Sequence, residues 1–156
     1  MIARSSKLRV RMASHALPLL LRLLQYVWAL PNTLIGLLLV VLALLTRGGA
    51  QVIDGVVEGY GGLVGWALRR HPLIRGGVAA MTLGHVVVGI DRDRLARTRI
   101  HERVHVAQYG RWGPFFLPAY GASSLLCVVR KKDPYMDNVF EMEAYAVERE
   151  RKARLT

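Results

Sequence analysis

The string His101-Glu102-Arg103-Val104-His105 sets two imidazoles four residues apart with a carboxylate beside the first. On a helix, positions i and i+4 project from one face a turn apart, so both rings can reach one tetrahedral zinc ion. Glu102 lies about 100° round the helix from His101, where it can take a proton from a zinc-activated water without becoming a ligand itself. The chemistry this layout serves is metal-assisted hydrolysis. A hydrolytic zinc needs a third protein ligand and an open fourth position. The single cysteine, Cys127, has no second thiol beside it, so the ligands must be His and carboxylates. The spacing HExxHxxGxxH would supply a third histidine from the same segment, but positions 108 and 111 are Gln108 and Arg111. A carboxylate from a later helix remains, and NVFEMEAYAVERE offers Glu141, Glu143 and Glu148. Glu141 and Glu148 flank one edge of that helix's apolar stripe and Glu143 the other, and periodicity does not choose between the edges.

These side chains need two helices and something to hold them together. Ile100, Val104 and Ala107 recur at i, i+4 and i+7, a stripe on a helix that Asp91 or Asp93 can cap and that ends near Tyr109, before Gly110 and Gly113. Asp137 or Asn138 can cap a final helix carrying Phe140, Ala144 and Val147 on one face. Upstream, AQVIDGVVEGY, GLVGWALRR and GVAAMTLGHVVVGI are short apolar runs punctuated by glycine, which read as strands of a small antiparallel sheet. His85 falls in TLGHVVVGI, read as the strand leading into the metal helix, where it either borders the cleft or serves as a structural sheet histidine. Gln108, one turn beyond His105, is placed to orient that ring or a water. Tyr120, Tyr135 and Tyr145 are candidate hydrogen-bond donors to an oxyanion, against the alternative that they pack as amphipathic residues. The fold class expected is α+β.

The chain has 156 residues, 53% of them apolar, and a formal charge of +11, which excludes disorder and suits anionic lipid or nucleic acid. No Gly-rich phosphate loop, stacking motif or Cys-based finger accompanies the arginines between Arg92 and Arg103, so nucleic acid is not an expected partner and lipid is. Tyr26 to Leu45, YVWALPNTLIGLLLVVLALL, has the roughly twenty residues of a membrane crossing, with Pro31-Asn32 either kinking one span or splitting it into a re-entrant pair. A second apolar run, Pro114 to Val129, is short for a crossing and either dips into the membrane or forms a buried helix. Residues 1–47 thus read as a basic N-terminus and anchor, and residues 48–156 as the metal-binding domain.

HERVHVAQY followed downstream by NVFEMEAY resembles the Glu-zincin plan of minimal zinc-peptidase domains and of integral-membrane metallopeptidases of the prenyl-protein-processing and heat-shock type. That resemblance implies a zincin-like (minimal gluzincin) fold, a zinc cofactor and a peptide or protein substrate. The families' third ligand opens a Glu-x-x-Ala-Asp segment that maps onto Glu141-Met142-Glu143-Ala144, which makes Glu141 the implied ligand and leaves Glu143 the alternative. Tyr145 stands where their pattern has aspartate, so the usual acidic partner behind a ligand is missing there. The strings TLGHVVVGI, HERVHVAQYGRWGPFFLPAY and DNVFEMEAY also resemble a group of small uncharacterised bacterial membrane proteins, over the last half of the chain. The expectation is therefore a zinc-dependent peptidase integral to a bacterial membrane, with the basic flanks favouring a cytoplasmic catalytic face. The alternative is a non-catalytic membrane protein in which the same residues hold a structural zinc.

Overall fold

A computed structural model describes residue 21 and residues 23–70 and 78–154. The basic start with Arg4, Lys7, Arg9 and Arg11 lies outside the described residues. The described elements are α1 (Leu30–Leu45), β1 (Gly49–Ile53), β2 (Val56–Tyr60), α2 (Gly62–Arg69), β3 (Ala80–Leu83), β4 (Val86–Gly89), α3 (Arg92–Trp112), α4 (Phe116–Val129) and α5 (Val139–Ala153). A single 3-10 turn, Gly113–Phe115, joins α3 to α4. The fold is α+β, with a four-stranded sheet in the order β1-β2-β4-β3.

The sheet is mixed, which corrects the antiparallel arrangement expected from sequence. β1–β2 and β3–β4 are antiparallel hairpins, but β2 and β4 run parallel. The cause lies in GLVGWALR, which forms helix α2 and not a strand: Val64 and Leu68, four residues apart, are its buried apolar pair. That helix carries the chain away after β2, so that the β3–β4 hairpin returns with β4 parallel to β2 and β3 at the edge. Asp54 and Gly55, with φ of 50° and 76°, turn the first hairpin, as two-residue loops with left-handed central residues do.

Every residue of β4 is buried, because both faces of the sheet are covered. Val86, Val88 and Ile90 pack with Val40 and Ala43 of α1 and Val64 and Leu68 of α2. Val87 packs with Leu95 of α3 on the opposite face. Gly36 lets α1 approach closely, since a β-carbon there would lie 2.7 Å from that of Val86. The inner face of α1 (Asn32, Gly36, Val40, Ala43) is thus committed to the domain. Its outer face, with Leu30, Leu34, Leu38, Val41 and Leu45, is bare.

α3 runs from the Asp91 cap, whose carboxylate accepts from the Arg94 amide at 2.8 Å, to Trp112, three residues past the expected end. Its buried face differs from the stripe read in the sequence. Ala107 is exposed and Ile100 half-buried, whereas His101, Glu102, His105, Gln108 and Tyr109 are buried. The helix is turned so that its polar residues face inward, where they have one another and α5 as partners. The run Arg92–Val129, counted as one helix through the 3-10 turn, is long and apolar enough to cross a membrane. Its apolar part is α4, where Leu117, Leu125, Leu126, Val128 and Val129 are all exposed.

Candidate metal centre

Three elements converge on the His pair: α3 supplies it, α5 faces it, and β3 flanks it. α5 begins at Asn138, whose side-chain oxygen accepts from the Phe140 amide at 3.0 Å, an N-cap of the ordinary kind. The Asn138 amide nitrogen also donates to the Tyr120 carbonyl at 3.1 Å and to Ser124 Oγ at 2.8 Å. This fully buried side chain fastens the start of α5 to α4. Glu141 follows one turn later and points at the histidines.

His101 Nε2 lies 3.1 Å from His105 Nε2 and 3.1 Å from Glu141 Oε2, and His105 Nε2 lies 3.3 Å from Glu141 Oε1. Ligands held at about 2.0–2.1 Å from a tetrahedral zinc are separated from one another by about 3.3 Å. The three side chains are buried and form the group among the described residues that can hold a metal ion.

Proton positions sharpen this. Gln108 Nε2 donates to the Phe140 carbonyl at 3.0 Å and to Glu143 Oε2 at 2.9 Å, so its Oε1 is the acceptor facing His105 Nδ1 at 2.8 Å. His105 must therefore carry a proton on Nδ1 and turn the Nε2 lone pair to the centre. His101 Nδ1 lies 3.3 Å from Glu148 Oε2, an ion-pair contact outside hydrogen-bond geometry. His101 Nε2, the His105 Nε2 lone pair and the Glu141 carboxylate thus meet at one point, a set of atoms that can hold a metal ion. Burial lowers the His105 pKa, yet Glu141, Glu102 and Gln108 together raise it above the ordinary value. Burial likewise pushes Glu141 up, but the two histidines and the Tyr120 hydroxyl beside it prevail and bring it down to about 2.

Glu102 stands outside the ligand group. It is buried, and its Oε2 accepts a 2.7 Å hydrogen bond from Thr82 Oγ1 on β3. Burial raises its pKa, against the lowering pull of His105, Thr82 and His101. A cleft of about 210 Å³ opens beside it, its walls formed by Ala80, Met81 and Thr82 of the edge strand and by Tyr109, Phe116 and Leu117.

The structure settles the edge question that periodicity left open, giving each glutamate of α5 a separate neighbour. Glu141 faces the centre, Glu148 stands behind His101, and Glu143 pairs with Gln108 and with Arg111 at 2.6 Å. Tyr120 donates to Glu141 Oε1 at 2.8 Å, so its hydroxyl proton is engaged in orienting that carboxylate. The Tyr145 ring lies against His101, centroids 4.6 Å apart, and its hydroxyl is 3.4 Å from that of Tyr135, which lines the cleft. His85 is not brought to the centre. It occupies the β3–β4 turn instead of a strand leading into α3, its ring stacked on Tyr26 at 4.0 Å and its amide donating to Thr33 Oγ1.

Sequence reasoning missed Thr82, whose signal was a hydroxyl at an inward position of an otherwise apolar strand. The bridge that Asn138 makes to α4 was missed as well, since only its capping role is local. Comparison with protein-family models, curated proteins and solved structures finds no match for this chain.

Proposed function

We propose that the chain is a membrane-associated, zinc-dependent peptidase with a zincin-like catalytic domain, His101, His105 and Glu141 holding the ion. The observation that carries this reading is the meeting of His101 Nε2, His105 Nε2 and the Glu141 carboxylate at 3.1–3.3 Å, the His105 tautomer fixed from behind by Gln108, beside a buried carboxylate on an open cleft. When bound, zinc supplies a Lewis acid that acidifies a water and polarises a carbonyl. Glu102, aligned by Thr82, takes the proton of the attacking water and delivers it to the leaving amine. Its raised pKa suits a group that must both accept and return a proton. Tyr120 keeps Glu141 oriented, and Tyr135 presents a hydroxyl at the cleft for the developing oxyanion.

The substrate this cleft fits is an extended peptide with apolar side chains. β3 is an edge strand, with no further strand paired to its outer side among the described residues, and such an edge can pair with an extended peptide. The residues on either side of it, Ala80, Leu117 and Phe116, are apolar. The bare outer faces of α1 and α4 support attachment to a lipid bilayer, since contiguous exposed apolar surface on this scale marks contact with a membrane or a protein partner. Because the inner face of α1 packs on the sheet, lipid meets that helix along its outer face. Three protein ligands among the described residues, where a structural site is normally closed by four, favour catalysis over the structural-zinc alternative.

The test uses the full chain purified in detergent, with zinc content and hydrolysis of an apolar peptide library measured together. One zinc per chain, turnover in the native protein, and loss of turnover with zinc retained in Glu102→Gln are expected. Absence of stoichiometric zinc, or equal turnover in the variant, overturns the reading.

A further inference from the structure

The two imidazoles of the centre are held from behind by unlike groups. His105 Nδ1 meets a neutral amide, that of Gln108, at 2.8 Å. His101 Nδ1 has a carboxylate, that of Glu148, at 3.3 Å, in ion-pair contact but outside hydrogen-bond geometry. Glu148 is itself aligned, because its other oxygen takes an ion pair from Lys152 Nζ at 2.6 Å one turn further along α5. The Tyr145 ring closes the remaining side of His101 at 4.6 Å. A carboxylate behind a ligating imidazole fixes its tautomer and raises the basicity of the nitrogen that faces the metal.

We propose that Glu148 is the positioning residue for His101, with Lys152 orienting Glu148, so that the acid supporting this ligand comes from the second turn of α5 beyond Glu141 and not from position 145. The inference rests on the reading of His101, His105 and Glu141 as a zinc site. Tyr145 and Glu148 are three residues apart and share a helix face, so an acid at either position can reach the same ring nitrogen.

The experiment measures zinc affinity of the full chain by competition with a chromogenic chelator, together with the visible spectrum of the cobalt-substituted protein. Glu148→Gln is expected to weaken zinc binding roughly 10–100-fold and to shift the cobalt bands, with the thermal midpoint of the metal-free protein unchanged. Tyr145→Asp combined with Glu148→Gln should regain most of the lost affinity, which a merely structural role for Glu148 does not predict. Glu150→Gln, altering an exposed residue paired with Arg154, is the control and should match the native chain. Native affinity and an unaltered cobalt spectrum in Glu148→Gln overturn the inference, as does an equal loss in the control. Should Glu148→Gln fail to fold, Glu148→Asp is read in its place: a partial loss supports the proposal and none overturns it. A native chain that binds no zinc removes this inference and the proposed function together. A native chain that binds zinc yet cleaves no peptide removes the hydrolase alone.

Discussion

His101 and Glu141 are forty positions apart in the chain, yet His101 Nε2 and Glu141 Oε2 meet at 3.1 Å. The contact exists because Asn138 fastens the start of α5 to α4 and thereby aims the next turn at α3. Glu143, two residues on, points away toward Gln108 and Arg111. Replacing the ligand should therefore cost far more metal than replacing its neighbour. Glu141→Gln is expected to lower zinc affinity by roughly a hundredfold or more, above the range for groups that only support a ligand. Glu143→Gln should fall within that lower range. Zinc retained per chain after dialysis against a chelator series reads the difference, and equal losses would remove Glu141 from the ligand set.

Thr82 gives a prediction that separates chemistry from metal binding. Its hydroxyl donates to Glu102 at 2.7 Å and touches none of the three ligands' facing atoms. A hydrogen bond to a charged group contributes about 1.5–3 kcal/mol, so losing the alignment of the base should slow turnover roughly tenfold or more. Thr82→Val, which preserves the shape of the side chain, should retain the full zinc complement while kcat falls. Loss of zinc in that variant would mean that the hydroxyl supports the metal and not the base.

Much of the centre was legible because its information is local. Two histidines at i and i+4 define a shared helix face whatever surrounds them, and Asp91 and Asn138 announce helix starts through their own side chains. What resisted reading depends on contacts between distant segments. The choice among Glu141, Glu143 and Glu148 needed the rotation of α5 against α3. The buried side of α3 ran against hydrophobic periodicity, since the Gln108 amide nitrogen and the Glu102 carboxylate find partners in Phe140, Glu143 and Thr82 from other elements. GLVGWALR was mistaken for a strand because eight residues of mixed apolar character carry little period, and with it went the parallel pairing of β2 and β4. Pro31-Asn32, read as a kink or a break, sits in the first turn of α1, and the Asn32 amide donates to the Gly113 carbonyl at 3.2 Å, tying α1 to the α3–α4 corner.

Asn138 links fold to site more tightly than any other residue outside the ligand set. Removing its side chain deletes a buried helix cap and two part-buried bridges to α4. Loss of such a cap costs about 1 kcal/mol, and loss of the hydrogen bonds to Tyr120 and Ser124 adds roughly 1 kcal/mol or more. Asn138→Ala should lower the thermal midpoint of the metal-free chain and weaken zinc binding, because Glu141 is then free to drift. Excess zinc should restore part of the midpoint, since a ligand that binds only the folded state stabilises it by mass action. A midpoint that ignores added zinc would show that α5 is placed independently of the metal.

Acid sensitivity should arise away from the centre, at Glu58 on β2. This buried carboxylate accepts from Arg99 Nε at 2.9 Å, from Arg99 Nη2 at 3.0 Å and from Gln51 at 2.8 Å, with Arg103 Nη2 at 3.3 Å. Burial alone raises its pKa, but the hydrogen bonds from Arg99 and Gln51 and the two guanidinium charges outweigh that and hold it below the ordinary value. The unfolded chain consequently takes up this proton more readily than the folded one. Stability from Glu58 is fully present above the unfolded glutamate pKa of about 4.3 and is lost as pH falls through the depressed folded value. Glu58→Gln leaves Arg99 and Arg103 without their anion and should cost about 3 kcal/mol at pH 7, the scale for breaking a buried pair from one side. Urea denaturation of the metal-free native chain and the variant, compared from pH 7 down to pH 3, should show the two curves converging below about pH 4. A gap between them that stays constant over that range would mean that Glu58 does not titrate with folding, and that the arginines over it are held by other means.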